Sequence, residues 1–578
     1  METMRQRQPA HVDYLAGERG TRRKKWTGRL PVALIFPNRY ALGNANLGFQ
    51  LVYALVNSLP GVVCERFFYE GSRPPLSLES NRPLRDFPIL LCSLSFEQDF
   101  LHLLALLAAG GIEARAERRS AGVTSFRPGA PLIIGGGVAS FINPEPMAPF
   151  VDLFVVGEAE PVLERLLLHL AGELKSTRPE VLLAETVKDF PGCYAPRFYT
   201  MVYGQDGLLA EIKTESGVPE RVRRLVHAES AVAGHSRLFS PDTEFADMFL
   251  AELGRGCSRG CRFCAAGFVY RPPRLWQAES ILAALGQRPG DISRIGLLGM
   301  EMARPEDLDR IADYLLREGC ALSFSSLRAD AITQELCLLL QRSNLKSAAI
   351  APDGGSERLR KVINKGISEE DVLLAAEALV RSGISHLKLY FMIGLPTETE
   401  EDMLELLALT EKVRQTLLAV GKARGRLSNI TLSVNSFVPK AWTPFQFHPF
   451  APLAELKNKI KLLKKGVSVM ANTRLVVDQP GIAFTQAVLA RGDRRVGLAL
   501  QAIAGGERTW RQALQEQGVS AEEVAMRQRG RDELFCWEVL DHGIERRYLW
   551  SEYEKALAGK TTRACEPLKC RRCGVCRD

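Results

Sequence analysis

The sequence predicts an α/β protein with two consecutive arrays of strands and helices and a mostly helical C-terminal part. Short, continuously apolar segments such as PVALIFP and PLIIGGG are typical of strands buried on both faces. Segments with helical periodicity separate them, and this alternation is typical of parallel sheets. A chain of 578 residues also exceeds what one hydrophobic core accommodates, so we expect about three domains of about 100–200 residues each.

The first array, residues 30–180, is predicted to be a Rossmann-like, doubly wound sheet. Such sheets bind ligands beyond the carboxyl ends of their strands. These ends are polar or rich in glycine here, which makes the following residues candidates for ligand binding: Asn46, Gly48, Ser93, Ser95, Gly135, Gly136, Gly137, Gly157 and Glu158. A basic arm, residues 1–29, precedes this domain, and residues 181–245 are interpreted as a linker or a small sheet extension.

The second array, residues 246–445, contains six strand and helix units in sequence. Six such units predict a partial β/α barrel, in which chemistry takes place at the carboxyl ends of the strands. Three cysteines directly follow the first of these strands: Cys257, Cys261 and Cys264. Residues 446–578 are predicted to form a helical extension that ends in a second group of cysteines.

Composition excludes several classes of protein. The chain is 46% hydrophobic and 25% charged, as in ordinary globular proteins. The first residues are polar rather than a secretory signal, and the longest apolar run is too short to span a bilayer. We therefore expect a cytoplasmic protein with no membrane partner, in which 13 cysteines serve metal or redox chemistry rather than disulfides. The basic arm is interpreted as a solvated tail, and nucleic-acid binding is an unsupported alternative.

The first group of cysteines has one ligand too few for a closed zinc site. Residues 254–274 contain three thiols and no histidine, whereas structural zinc takes four ligands. A [4Fe–4S] cluster bound by three thiolates instead leaves one iron open to a substrate. Three glycines allow the loop to fold tightly and to direct backbone N–H groups at the cluster: Gly254, Gly256 and Gly260. The aromatic ring of Phe263 can shield the cluster from water.

The spacing Cys257-x3-Cys261-x2-Cys264, with Phe263 before the last cysteine, resembles the radical S-adenosylmethionine (SAM) superfamily. The resemblance implies that the open iron chelates the amino and carboxylate groups of SAM. It further implies that one electron from the cluster cleaves SAM into methionine and a 5′-deoxyadenosyl radical that abstracts hydrogen. A one-electron donor such as flavodoxin or ferredoxin is the implied partner.

Later segments resemble the SAM-binding motifs of the same superfamily: LLGMEMA (297–303), SSLRAD (325–330), APDGGSERLRKVINKG (351–366) and LKLYFMIGLPTETEED (387–402). In the first of them, the GME sequence departs from the usual form of the motif. The resemblance implies that the following residues contact SAM or lie beside it: Phe263, Gly299, Glu301, Ser326, Arg328, Asp353, Lys388 and the backbone near Ile393. For Arg328 and Lys388, the alternative is a structural salt bridge in the barrel.

The segment PLIIGGGVASFINPEPMAPFVDLFVVGEAEP, ahead of the radical SAM motifs, resembles the cobalamin-binding branch of the superfamily. The resemblance extends from about residue 10 to the end, as an uncharacterised family within that branch, and implies cobalamin at the first domain's strand ends. Many cobalamin domains carry Asp-x-His-x-x-Gly, with the histidine as lower cobalt ligand, where this chain has Asn44-Ala45-Asn46-Leu47-Gly48. Either cobalamin binds with its lower position empty or occupied by water, or the domain has lost the cofactor.

Four further cysteines end the chain, flanked by Lys569, Arg571 and Arg572: Cys565, Cys570, Cys573 and Cys576. The cations favour thiolates, and four thiolates permit either a closed zinc site or a second iron–sulfur cluster. Both alternatives stay open, beside that of a flexible redox-active tail. The remaining cysteines show no ligand spacing and are interpreted as core thiols.

These observations predict a radical SAM enzyme, with cobalamin-dependent methyl transfer to a poorly nucleophilic atom as the reaction. The first alternative is a rearrangement, ring contraction or cyclisation without methyl transfer. Methylthiolation of RNA is disfavoured because the N-terminal domain lacks a further set of three clustered cysteines. A non-catalytic metal- or nucleic-acid-binding protein is the remaining alternative. The sequence does not define the substrate.

Overall fold

The computed structural model describes residues 13–576 except positions 72, 300, 302, 303, 325, 424, 426, 507 and 568. Part of the predicted basic arm, residues 1–12, and parts of the predicted motifs at 297–303 and 325–330 therefore lie outside the described residues.

The strands are β1 (Leu30–Phe36), β2 (Val62–Phe68), β3 (Ile89–Ser93), β4 (Leu132–Gly136), β5 (Leu153–Val155), β6 (Cys193–Tyr194), β7 (Tyr199–Tyr203), β8 (Leu209–Thr214), β9 (Val222–Arg223), β10 (Met248–Glu252), β11 (Gly254–Arg255), β12 (Arg274–Leu275), β13 (Arg294–Leu298), β14 (Ala321–Phe324), β15 (Ser347–Asp353), β16 (His386–Ile393), β17 (Asn429–Ser436), β18 (Thr473–Val477) and β19 (Leu540–Asp541).

The α-helices are α1 (Tyr40–Gly43), α2 (Leu47–Ser58), α3 (Asp99–Ala109), α4 (Ala116–Ser120), α5 (Val138–Ile142), α6 (Leu163–Glu173), α7 (Pro179–Asp189), α8 (Ala266–Val269), α9 (Ala278–Leu285), α10 (Pro305–Arg317), α11 (Gln334–Arg342), α12 (Glu357–Val362), α13 (Glu369–Arg381), α14 (Glu400–Ala423), α15 (Leu453–Ser468), α16 (Pro480–Arg491), α17 (Arg494–Ala504), α18 (Trp510–Glu516), α19 (Ala521–Met526) and α20 (Arg546–Leu557). None of the helices in the described part of the chain is long and apolar enough to cross a membrane.

The N-terminal sheet has the strand order β2-β1-β3-β4-β5-β6. Strands β1 to β5 are parallel and β6 is antiparallel to β5, which confirms the predicted mixed α/β class with a parallel sheet. Strand β2 is added on one side of β1, and β3, β4 and β5 are added in turn on the other side. The strand order therefore switches between β1 and β3, and ligands of doubly wound sheets bind at such a switch point. The sheet continues to Tyr194, beyond the predicted boundary at residue 180, because β6 completes its edge.

The segment predicted as a linker or small sheet extension contains an antiparallel hairpin, β7 with β8. Strand β9 pairs in parallel with β19, which lies more than 300 residues further along the chain. The segment therefore fastens the C-terminal part to the N-terminal domain.

The second array consists of two parallel sheets, β10-β13-β14 and β15-β16-β17-β18. A parallel bridge between Leu327 and Ile350 joins them at the carboxyl end of β14. The strands follow the six predicted units, and β18 adds a seventh within the region predicted to be helical. Its residues alternate between half-buried and exposed, as expected of an edge strand, and this weak pattern is easily missed between two helices.

Strand β16 shows how the second array presents its two faces. Leu387, Leu389 and Phe391 are buried against the helices, whereas the alternating residues Lys388 and Tyr390 are half-buried on the opposite, inner face. Because side chains alternate along a strand, polar residues of the inner face are available to a ligand.

The C-terminal region packs against both arrays. Helix α17 lies on α3 of the N-terminal domain, and the Arg494 guanidinium at its start binds the buried Glu145 carboxylate at 2.7 Å. Trp537 is fully buried and belongs to the same continuous hydrophobic core as the N-terminal sheet and β15–β17. The C-terminal region thus clamps the two arrays together.

Candidate functional site

Cys257, Cys261 and Cys264 lie on one loop that closes on itself. This cysteine loop, residues 254–274, begins in β11 and ends in β12, and the two strands pair antiparallel at its base. Gly256 has φ +86°, and a Cβ there would lie 2.7 Å from the Tyr270 carbonyl oxygen. Gly260 has φ +73°, so both positions favour glycine. The glycines therefore bring the three thiols to one side of a tight turn.

The three thiols share one environment. Cys261 is buried, and Cys257 and Cys264 are half-buried. Burial raises the pKa of each thiol, that of Cys264 to about 12. Nearby N–H groups act to lower the pKa values: the backbone N–H groups of Arg259 and Gly267 beside Cys257 and Cys264, and the Arg328 guanidinium beside Cys261. Donors directed at sulfur stabilise thiolates, which are the form that binds metal.

Charged side chains from the carboxyl ends of the barrel strands surround the cysteine loop. The Glu301 carboxylate accepts hydrogen bonds from the Ser258 backbone N–H at 2.9 Å and the Ser258 hydroxyl at 2.5 Å. Asp353 ends β15 with φ +62° and forms an ion pair with Lys365. The Arg328 guanidinium binds Asp330 at 2.9 Å and the Lys365 carbonyl oxygen at 2.9 Å. The structure thus brings Glu301, Arg328 and Asp353 together around the thiols.

The other residues predicted to contact SAM are distributed along the same rim. Gly299 directly follows β13, and Phe263 is half-buried against the core. Ser326 is exposed next to the bridge at Leu327. The Lys388 ammonium lies 4.6 Å from the centroid of the Tyr390 ring on the inner face. The Ile393 side chain is fully buried against the helices, which leaves its backbone as the part that faces a ligand.

The donor set fits an iron–sulfur cluster. In such a cluster each thiolate binds a different iron atom, and the cysteine loop supplies three thiols with N–H groups beside them. Within residues 13–576, apart from the positions not described, no group of three or more His, Cys, Asp and Glu side chains is arranged to hold a single metal ion.

A cavity of about 330 Å³ lies between the N-terminal sheet and the cysteine loop. Its wall on the sheet side includes all nine residues that the sequence places at the strand ends: Asn46, Gly48, Ser93, Ser95, Gly135, Gly136, Gly137, Gly157 and Glu158. The opposite wall includes Glu252, Arg255 and Tyr270. This interdomain cavity therefore shares part of its wall with the loop that carries the three cysteines.

Glu158 holds the two walls of the interdomain cavity together. Its carboxylate binds the Arg274 guanidinium at 2.6 Å and the Arg255 guanidinium at 3.1 Å. Burial alone would raise the pKa of Glu158, but hydrogen bonds from Arg274 and the charge of Arg255 lower it below its ordinary value. The carboxylate is thus ionised near neutral pH and fixes the base of the cysteine loop against the sheet.

Asn46 serves as the N-cap of α2, where its side-chain oxygen accepts a hydrogen bond from the Phe49 N–H at 3.0 Å. The described residues that line the interdomain cavity include no histidine. His102 lies on α3, the helix that follows β3. Its ring stacks on Tyr69 and contacts the Pro37 carbonyl oxygen rather than the cavity.

A buried ion pair attaches the cysteine loop to the C-terminal helix α20. The Arg262 side chain is fully buried and its guanidinium lies 3.1 Å from the Glu552 carboxylate, whose side chain is 2% exposed. Asn364 adds a second link, since its amide donates to the Gly260 carbonyl oxygen at 3.2 Å and accepts from the Thr562 N–H at 2.8 Å. The chain beyond α20 is therefore connected directly to the loop.

Replacing Glu552 by alanine is expected to destabilise the protein by about 3 kcal/mol, because it leaves the buried Arg262 charge without its carboxylate partner. Denaturant unfolding under anaerobic conditions measures the change. Glu554, two positions along the same helix, is exposed, and Glu554→Ala is the matched control with an expected change of about 0.5 kcal/mol or less. Equal effects of the two substitutions would contradict the assigned role.

The terminal segment, residues 561–576, places the four C-terminal cysteines next to the cysteine loop. The Cys565 backbone N–H donates to the Ser258 carbonyl oxygen at 2.7 Å. Burial raises the pKa of Cys565 to about 11. Burial also acts to raise the pKa of Cys570, but the hydrogen bond from the Arg572 guanidinium, 3.3 Å from its sulfur, lowers it below the ordinary value.

The fold and the cysteine loop define a radical SAM protein, and comparison with known families agrees. Residues 251–410 match the model of the radical SAM superfamily, and residues 48–196 match that of the N-terminal region of radical SAM proteins. The chain belongs to the radical SAM superfamily.

Similar proteins include an uncharacterised protein of Methanocaldococcus jannaschii, MJ0966. It is 27% identical over 470 residues, which cover 80% of this chain and 89% of that protein. Among solved structures, the cobalamin-dependent SAM radical enzyme OxsB, with aqua-cobalamin and SAM bound, shows 16% identity and a TM-score of 0.45. The similarity covers 75% of this chain and 62% of that chain, so this chain spans less than two thirds of OxsB.

A second solved structure is the radical SAM methyltransferase TsrM from Kitasatospora setae, with cobalamin and a [4Fe–4S] cluster bound. It shows 12% identity and a TM-score of 0.42, and the similarity covers 72% of this chain and 74% of that chain.

Sequence reasoning missed several residues of the site. Lys365 and Asn364 lie in the segment 351–366, in which the sequence analysis names only Asp353 as a SAM contact. Both are polar residues directly after a short helix, and that position could have marked them as candidates. Arg271 and Arg274 lie within the cysteine loop itself. Their charge was visible, but their partners come from other parts of the chain.

Proposed function

We propose that this protein is a cobalamin-dependent radical SAM methyltransferase that binds a [4Fe–4S] cluster through Cys257, Cys261 and Cys264. The observation that carries the proposal is the shared wall of the interdomain cavity. Strand ends of the N-terminal sheet form one side, and Arg255 and Tyr270 of the cysteine loop form the other. A corrinoid in this cavity and a cluster on this loop would therefore serve one reaction.

The charges around the cysteine loop suit the groups of SAM. Glu301 offers a carboxylate for the ammonium group, and Arg328 offers a guanidinium for the carboxylate group. Asp353 offers hydrogen-bond acceptors for ribose hydroxyls. When bound, the cluster and SAM would supply the radical chemistry, and the residues of the chain would bind, orient and exclude water.

The lining of the interdomain cavity suits the apolar face of a corrinoid. Gly135, Gly136 and Gly137 leave one wall without large side chains, and a Cβ at Gly136 would have no heavy atom within 4 Å. Apolar residues such as Leu34, Leu91 and Ile134 complete that wall. Large ligands with apolar faces bind in such concave sites. The cavity supports retention of the cofactor over the alternative that the domain has lost it.

The proposal includes a lower cobalt position that is empty or occupied by water. Asn46 is engaged as a helix cap, and the described lining residues include no imidazole. Electron paramagnetic resonance of bound cob(II)alamin is therefore expected to show no superhyperfine splitting from an axial nitrogen. A nitrogen triplet that persists when the dimethylbenzimidazole tail is removed, as in a cobinamide derivative, would contradict this assignment.

As part of the same proposal, the enzyme is cytoplasmic and takes electrons from a carrier such as flavodoxin or ferredoxin. Thiolate-bound clusters persist in reducing compartments, which supports that location. The methyl acceptor is an unactivated carbon or another poorly nucleophilic atom.

Anaerobic purification, reconstitution with iron and sulfide, and addition of hydroxocobalamin test the proposed function. We expect about one corrinoid per chain to survive gel filtration and SAM to be cleaved to 5′-deoxyadenosine under reduction. Cleavage of SAM without bound corrinoid would favour the non-methylating rearrangement or cyclisation. Neither corrinoid binding nor SAM cleavage would favour a non-catalytic protein.

A further inference from the structure

The terminal segment is built into the site rather than attached to its outside. Cys565 contacts Ser258, the neighbour of Cys257, through a backbone hydrogen bond of 2.7 Å. The Glu545 N–H, at the start of α20, donates to the Cys573 carbonyl oxygen at 2.9 Å. Cys565 and Cys573 are both buried. Two of its cysteines are therefore fixed between the cysteine loop and α20.

Arg271 is a buried cation that lies between the two groups of cysteines. Arg271 is 4% exposed. Its guanidinium donates to the Gly267 carbonyl oxygen at 2.9 Å and to the Tyr548 hydroxyl at 3.1 Å. The Cys573 thiol also lies close enough to interact with the guanidinium. Among the ion pairs found in the described part of the chain, none joins Arg271 to a carboxylate.

The Arg271 guanidinium lies over the rings of Phe268 and Tyr548, 4.5 Å and 5.4 Å from their centroids, but it has no carboxylate partner among the described residues. The cost of burying a cation falls further when a negative group lies beside it. Four thiolates around a metal centre carry such a charge, and Cys573 is the thiol that Arg271 contacts. Arg271 therefore points to a thiolate-bound metal centre in the terminal segment.

The spacing of the terminal cysteines is compatible with zinc but favours an iron–sulfur cluster. Cys570-x2-Cys573-x2-Cys576 repeats the C-x2-C-x2-C run with which ferredoxins bind [4Fe–4S] clusters. Cys565 supplies the fourth thiol from a position next to the cysteine loop. The thiols of Cys565 and Cys570 lie close enough to interact with each other, so the fourth thiol lies beside the run.

We propose that Cys565, Cys570, Cys573 and Cys576 bind a second [4Fe–4S] cluster, which passes single electrons to the cluster on the cysteine loop. The proposal rests on the proposed function for the identity of the first cluster. One electron moves from a reduced low-potential carrier protein to the second cluster, which changes from the 2+ to the 1+ state. The same electron then reduces the first cluster from 2+ to 1+ and returns the second to 2+. No bond is formed or broken and no proton is transferred in either step.

The surface of the terminal segment indicates the carrier. Its exposed side chains are mainly cationic: Arg563, Lys569, Arg571 and Arg572. Lys569 is 82% exposed and its one ion pair among the described residues is a long contact of 3.5 Å with the exposed Glu566. A basic surface over a cluster favours association with an acidic carrier, and that association should weaken as salt is added.

The test compares wild-type protein with the double variant Cys570→Ala/Cys573→Ala and with Cys337→Ser as the matched control. Cys337 lies on α11, far along the chain from both groups of cysteines. Each protein is reconstituted anaerobically and analysed for iron, sulfide and zinc. SAM cleavage is then measured with reduced flavodoxin and, separately, with dithionite, which needs no docking surface.

The double variant is expected to lose about four iron atoms and about four sulfides per chain, whereas Cys337→Ser keeps them. Flavodoxin-driven cleavage should fall by about tenfold or more, and dithionite-driven cleavage should fall much less. The proposal would be overturned if wild-type protein held about one zinc per chain and the double variant lost that zinc instead of iron. It would also be overturned if the double variant lost the same fraction of SAM cleavage with both reductants. If wild-type protein cleaves no SAM with either reductant, the proposed function fails, and the iron content still decides whether the second cluster exists.

Discussion

Replacing Cys257, Cys261 and Cys264 together by alanine is expected to reduce formation of 5′-deoxyadenosine by at least about 1,000-fold, because the cofactor carries the chemistry. The variant should also lose about four iron atoms per chain, since each thiolate binds one iron of the cluster and the fourth iron is held by no residue. The loop should still fold. Its shape depends on the β11–β12 pairing and on the Arg262–Glu552 ion pair, neither of which involves a thiol.

Circular dichroism and anaerobic gel filtration establish that the triple variant is folded, and mass spectrometry measures the nucleoside product. Cys320→Ala is the control, because Cys320 is a buried thiol of the separate core around β10, β13 and β14. Product formation by a folded triple variant at more than a few per cent of the wild-type rate would refute the assignment of these thiols.

Replacing Gly136 by tryptophan is expected to weaken corrinoid binding by at least about 100-fold, or about 2.8 kcal/mol. Gly136 lies at the end of β4 with an ordinary backbone conformation, and nothing lies within 4 Å of the position that its Cβ would occupy. The Cβ of a new side chain therefore displaces no protein atom, and because Gly136 lines the interdomain cavity, the indole ring is expected to occupy space in it. By contrast, a Cβ at Gly137 would lie 2.6 Å from the Leu94 carbonyl oxygen, so substitution there would disturb the fold itself.

Gly136→Ala is the matched control, since a methyl group occupies little of a cavity of about 330 Å³. Equilibrium dialysis against hydroxocobalamin gives both affinities, and thermal unfolding reports whether either variant is destabilised. Unchanged corrinoid affinity in a folded Gly136→Trp variant would remove the interdomain cavity as the binding site.

The sequence was sufficient to predict features that depend on local pattern. Buried strands are continuously apolar, so their carboxyl ends could be located, and parallel pairing then places those ends at one edge. For this reason Asn46, Ser93 and Gly157 were predicted to lie close together, and the structure places them around one cavity. Whether these residues contact cobalamin stays a prediction.

Features that depend on distant pairing could not be predicted in the same way. Strand β9 pairs with β19 across more than 300 residues, and β18 has the weak pattern of an edge strand. The Arg262–Glu552 pair joins positions 290 residues apart. Nothing in the local sequence of either partner identifies the other, because the contact forms only when both arrays and the C-terminal region have packed.

The proposed function requires the interdomain cavity and the cysteine loop to form one reaction site. Electron-spin relaxation of bound cob(II)alamin, measured in reduced wild-type protein and in the triple cysteine variant, tests it most directly. We expect about one corrinoid per chain in both proteins, with faster relaxation in the wild type because a reduced cluster lies on the neighbouring wall. Identical relaxation in the two proteins, or wild-type protein that retains the cluster and binds no corrinoid, would contradict it.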